Sequence, residues 1–157
     1  MSNPTVERLD VHTPLENVVL YKENQPLQEV IDSDHAKRTM LTEWFELNKH
    51  DNESRSLTYA QIPSHFVWHS TERCWAKRKR GNRIGRIMYV HPSAGERYYL
   101  RMLLNVVKGA TSFEDIRTVN GVLHPTFRSA CTALGLLGDD KEWEELQHIR
   151  TELYVKE

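Results

Sequence analysis

Three short segments between His65 and Val90 constrain this chain more than any other feature. His65-Phe-Val-Trp-His69, Cys74-Trp-Ala-Lys-Arg-Lys-Arg80 and Ile84-Gly-Arg-Ile-Met-Tyr-Val90 are rich in aromatic and β-branched residues, which suit a pleated, half-buried surface. Ser70-Thr-Glu-Arg73 and Gly81-Asn82 separate them as turn signals, so the spacing predicts a three-stranded antiparallel meander.

Helices flank that sheet. Met40, Leu41, Trp44, Phe45 and Leu47 recur at helical spacing, predicting a helix from about Ala36 to Asn48 with Asp34 as N-cap. Ser93-Ala-Gly-Glu96 reads as a capping box that opens a largely apolar helix ending at Lys108-Gly109. Ser112-Phe-Glu-Asp115 opens a shorter helix that stops near Asn120-Gly121. Two more are expected, one from about Pro125 to Leu137 and one after Asp139 bearing Trp143, Leu146, Ile149 and Leu153. Residues 1–33 read as an irregular N-terminal arm, with one short strand at Val18-Val-Leu-Tyr21. The fold class is therefore α+β: a small antiparallel three-stranded sheet followed by a helical bundle, in a single domain over residues 34–157.

The charge is patterned rather than averaged. A net charge of −1 conceals nine basic residues against one acid between Arg73 and Arg101, while the stretch after Asp139 is acidic. Cationic strands interleaved with Trp68, Trp75 and Tyr89 match what single-stranded nucleic acid needs, charge for phosphates and rings for bases. The candidate nucleic-acid-binding residues are Arg73, Trp75, Lys77, Arg78, Lys79, Arg80, Arg83 and Arg86. The competing reading is a solvated basic edge that discourages strand aggregation, with the tryptophans in the core. Lys77-Arg-Lys-Arg80 also has the form of a nuclear-localisation tetrapeptide.

Catalytic and metal signals are weak by comparison. The chain carries no phosphate loop, CxxC pair, HExxH or G-x-S-x-G elbow. His65, His69, Cys74 and His91 could approach one another across a hairpin, but their spacing fits no common zinc pattern. Tyr98-Tyr99 opens an apolar helix, which suits core aromatics better than a strand-nicking nucleophile. Cys74 and Cys131 read as reduced thiols in apolar settings. No apolar run approaches the roughly 18 residues of a membrane span, and Met1-Ser-Asn-Pro-Thr-Val-Glu7 lacks the build of a signal peptide. No membrane contact and an intracellular location are expected.

Several longer words are distinctive together. Leu57-Thr-Tyr-Ala-Gln-Ile-Pro-Ser-His-Phe-Val-Trp68, Ile84-Gly-Arg-Ile-Met-Tyr-Val90, Gly95-Glu-Arg-Tyr-Tyr-Leu-Arg-Met-Leu-Leu104, Thr111-Ser-Phe-Glu-Asp-Ile-Arg-Thr-Val-Asn-Gly121 and Ala133-Leu-Gly-Leu-Leu-Gly-Asp-Asp140 succeed one another in order. With Arg8-Leu-Asp-Val-His12 and Thr39-Met-Leu-Thr-Glu-Trp-Phe45, this succession strongly resembles the Helitron transposon Rep-helicase family, in the region upstream of its Pif1-like DNA helicase core.

The resemblance implies a parent protein with a rolling-circle nuclease before this region and an ATP-dependent helicase after it. Neither the nuclease residues nor the helicase's ATP-binding residues have counterparts here, so this chain alone is expected to be non-catalytic. ATP and Mg are implied only for the full-length family, and no cofactor is expected in this chain. The expected function is a single-stranded DNA-contacting or docking module, nuclear in location. The alternative is a purely structural fragment that packs on a helicase domain.

Overall fold

The structure, a computed structural model, describes residues 5–14 and 38–137. The described chain mixes helix and strand, with its strands in three separate pairs. In order these are strand β1 (Thr5–Leu9), helix α1 (Met40–His50), the hairpin strands β2 (Phe66–His69) and β3 (Cys74–Lys77), strand β4 (Arg83–Ile87), helix α2 (Glu96–Leu104), the single turn α3 (Phe113–Ile116), the short strands β5 (Thr118–Val119) and β6 (Val122–Leu123), and helix α4 (Phe127–Ala133). One cluster of buried side chains, centred on Trp44, Tyr59, Phe66, Leu100 and Leu103, serves them all.

The expected three-stranded meander does not form. β2 and β3 pair antiparallel as predicted, but β4 leaves them and pairs parallel with β1, with Val6 opposite Ile84 and Leu9 opposite Ile87. Charge explains part of the choice. A two-residue turn at Gly81-Asn82 would have set Arg80 opposite Arg83 and Lys77 opposite Arg86, and like charges directly opposite destabilise a sheet. In the parallel pairing Arg83 instead meets Glu7 at 2.5 Å, and one like-charged pair, Arg8 opposite Arg86, stands in place of two. Residues 5–9, expected to belong to an irregular arm, are thus an integral strand with Leu9 fully buried. The expected strand at Val18–Tyr21 and the last expected helix lie outside the described residues.

β4 can lie where it does because of Gly85. Its backbone packs against the 3-10 segment Tyr59–Ser64, where an added Cβ would overlap the Ala60 carbonyl oxygen and stand 2.9 Å from Pro63 Cδ. The other face of that segment sends Tyr59 into the core, where its hydroxyl donates to the Asp10 carbonyl at 2.8 Å. The Asp10 carboxylate accepts from the Met40 and Leu41 amides at 3.2 and 3.3 Å, the free donors at the start of α1. Thr39 completes that terminus in a capping box with Thr42, so α1 starts later than the predicted Ala36, and Asp34 lies outside the described residues.

Two later signals resolve differently from the sequence expectation. Gly95 adopts φ +67° and α2 starts at Glu96, while Ser93 donates its amide to His91 Nδ1. Glu96, expected to reach back to Ser93, instead accepts from the Phe127 and Arg128 amides at 2.8 and 3.1 Å and caps α4. Asn120-Gly121, expected to end a helix, is the turn of the β5–β6 hairpin, with both residues at positive φ as a two-residue hairpin loop requires. No helix among the described residues is long and apolar enough to cross a membrane.

Two tests follow from this packing. Gly85→Ala should lower the unfolding free energy by about 1–3 kcal/mol or more, because backbone and proline both obstruct the new methyl; urea titration followed by circular dichroism measures it. Burial, and secondarily Asp10, raises the Tyr59 pKa well above its usual 10.0. The fold therefore holds the neutral phenol, and its contribution is intact below pH 10.0 and lost as pH climbs beyond it. Tyr59→Phe should cost about 1–2 kcal/mol at pH 8 through the lost hydrogen bonds. Its Tm should then fall less than that of the parent protein between pH 9 and 11.

Candidate nucleic-acid interface

The cationic segment begins on the β2–β3 hairpin. Its register sets Trp68 opposite Trp75 and Phe66 opposite Lys77. Phe66, Trp68, Trp75 and Lys77 therefore share one face of the hairpin; Phe66 and Trp75 are buried on it, while Lys77, at the end of β3, is exposed. Trp75 is only 7 % exposed, and its indole N–H donates to the Met40 carbonyl at 3.0 Å. Trp68 packs on it with ring centroids 5.2 Å apart. Trp75, expected as a base-stacking platform, thus belongs to the core and anchors the hairpin to α1. The exposed aromatic of the segment is Tyr89, at 77 %.

Beyond β3 the chain folds around a cleft of about 230 Å³ lined by Glu53, Ser64, His65, Lys77, Arg78, Lys79, Arg80 and Gly81. Arg78 holds this loop together. Its guanidinium donates to the carbonyls of Pro63 at 3.1 Å, Phe66 at 3.3 Å and Arg80 at 3.5 Å. These acceptors are neutral, so the loop is fixed without cancelling the charge. Lys77 lies 3.7 Å from Asp51 and 3.9 Å from Glu53, whose carboxylate also meets His65 Nδ1 at 3.1 Å. Contacts this exposed contribute about 0–1 kcal/mol and yield readily to a competing anion.

The remaining expected residues divide into three groups. Arg73, at φ 54°, donates from Nε to the Arg38 carbonyl at 2.8 Å, at the far turn of the hairpin and away from the cleft. Arg83 is bound to Glu7, yet its carbonyl accepts from Ser64 Oγ at 3.1 Å, which joins β4 to the cleft wall. Lys79, Arg80 and Arg86 are exposed, and no carboxylate pairs with them among the described residues. The structure therefore brings Lys77, Arg78, Lys79 and Arg80 together, sets Arg83 and Arg86 along the adjoining strand, and separates Arg73 and Trp75 from them.

One cation escaped the sequence reading. Arg8 stands directly opposite Arg86 in the β1–β4 register and is equally exposed. The alternation Val6, Arg8 against Glu7, Leu9 would have marked a strand, but nothing local in the sequence names its partner.

Other chemistry is sparse here. Among the described residues no three His, Cys, Asp or Glu side chains converge as metal ligands; His65 is engaged by Glu53, and His69 stands opposite Cys74. Burial, helped by Glu96, pushes the Cys131 thiol up to about 11, and its Sγ contacts the Tyr99 carbonyl at 3.3 Å, as fits an unreactive core thiol. What the arrangement offers is a concentration of positive charge on one surface. No family model matches the chain, and no curated protein sequence matches it.

Proposed function

We propose that this protein is a non-catalytic module that contacts single-stranded DNA through the Lys77–Arg80 cleft and the adjoining β4 strand. The observation that carries the reading is the cleft itself, where four consecutive cations surround one opening and the guanidinium that fixes the loop is satisfied by neutral carbonyls. Such a site tracks phosphates without reading sequence. The reading also accords with the resemblance to the region upstream of the helicase core in Helitron proteins. On that view the module holds a displaced strand beside a motor, and ATP hydrolysis belongs to the neighbouring domain. Nuclear location belongs to the same proposal.

A second reading, a docking piece that packs on a helicase domain, draws on the exposed apolar residues Val6, Ile84, Met88 and Tyr89. The two differ in their response to salt. Apolar docking is insensitive to it, whereas each phosphate contacted on a single strand, through the counterion it releases, changes the slope of log K against log[salt] by about 0.7.

The test is fluorescence anisotropy with a labelled oligonucleotide over a range of salt. Lys77, Lys79 and Arg80 are replaced together by Ala, and Arg78 is kept because its loss would free three backbone carbonyls. The expected outcome is binding at low salt that weakens at least tenfold in the triple variant, with a salt slope shallower by about 2. No binding at low salt, or a triple variant that binds like the parent, would remove the proposal.

A further inference from the structure

Parallel strand pairs are ordinarily covered on both faces. Among the described residues, the β1–β4 pair is covered on one. Leu9 and Ile87 are buried inward and Gly85 lies against the Tyr59–Ser64 segment, while the opposite face carries Val6, Ile84 and Met88, exposed by 48, 38 and 53 %. Arg8 and Arg86 stand side by side in the middle of that outer face. Strands in a sheet lie about 4.8 Å apart, so the two side chains leave the backbone side by side and their guanidinium groups can reach one small area. No carboxylate among the described residues pairs with either.

A like-charged pair in register destabilises the sheet, unless a group with several acceptor oxygens lies between the two forks, an arrangement that arginine serves better than lysine. We propose that Arg8 and Arg86 form a two-arginine clamp on a backbone phosphate of single-stranded nucleic acid, with the adjacent base carried by Met88 and the exposed Tyr89 ring. This deepens the function proposed above and rests on it. The Ser64–Arg83 hydrogen bond joins the start of β4 to the Lys77–Arg80 cleft, so the strand path runs from the cleft along β4 to Tyr89. The mixture of cations with exposed apolar side chains favours a nucleic acid over a free inorganic anion, which has no use for the apolar part.

The test uses the full chain and two probes, a labelled oligothymidylate and inorganic pyrophosphate. Arg8→Gln/Arg86→Gln should keep or raise the parent Tm, since both side chains are exposed and their repulsion is removed. It should weaken oligonucleotide binding about tenfold and flatten the salt slope by about 0.7, the value for one phosphate. Arg8→Lys/Arg86→Lys, which keeps charge and loses the forks, should fall between the two. Tyr89→Ala should weaken the oligonucleotide by about tenfold and leave pyrophosphate unaffected.

If the parent protein binds the oligonucleotide and Arg8→Gln/Arg86→Gln binds it equally well, the clamp is overturned while the cleft reading stands. If the parent protein binds no oligonucleotide, the nucleic-acid reading falls, and NMR of the arginine Nε–H signals under pyrophosphate decides the pair. Shifts at Arg8 and Arg86 then keep a phosphate site there, and unchanged signals overturn it.

Discussion

Asp10 lies where the separate parts of this protein meet. Its carboxylate closes the N-terminus of α1, its carbonyl receives the buried Tyr59 hydroxyl, and it directly follows the strand that pairs with β4. Unpaired amide donors at a helix start and a buried phenol without an acceptor each carry a cost, and one residue answers both. Because Tyr59 opens the 3-10 segment that packs on β4, the same junction fixes the height of β4 against the core. The basic face depends on it in turn, since Arg83 and Arg86 are carried on that strand.

The cleft is fixed by a related economy. Arg78 donates to neutral carbonyls of residues before, within and just after the hairpin, which shapes the loop while leaving its field open to solvent. Lys77 meets carboxylates only at exposed, loose distances, and Lys79 and Arg80 project freely among the described residues. A positive surface held in shape by backbone acceptors is preorganised for an anion, and little side-chain reordering is needed on binding.

Where sequence reading succeeded, the signal was local. The Trp44–Phe45 stripe marked α1, and aromatic and β-branched residues separated by a polar turn marked the β2–β3 hairpin. The density of cations was plain to see. The failures share one physical cause, which is that the competing partner lay far along the chain. Glu96 stood at capping-box spacing from Ser93, yet the free amides of α4 took its carboxylate. Period-two alternation in Ile84–Val90 serves an antiparallel or a parallel partner equally, and only the like charges of the turn argued against the nearer one. Trp75 had the composition of a stacking platform, and its burial followed from the approach of α1. Asn120-Gly121 is the exception, a local hairpin signal that the neighbouring helical pattern obscured.

By itself, the sequence determined a mixed α and β chain with an aromatic core and a concentrated cationic segment, because hydrophobic period and charge density are properties of neighbouring residues. Tertiary structure alone decided which cations share a surface. It joined β1 to β4 across more than seventy residues, brought Arg8 beside Arg86, withdrew Trp75 into the core and left Tyr89 in solvent. Strand pairing across such a separation is chosen by the packing of the whole core, and no stretch of the chain records that choice alone.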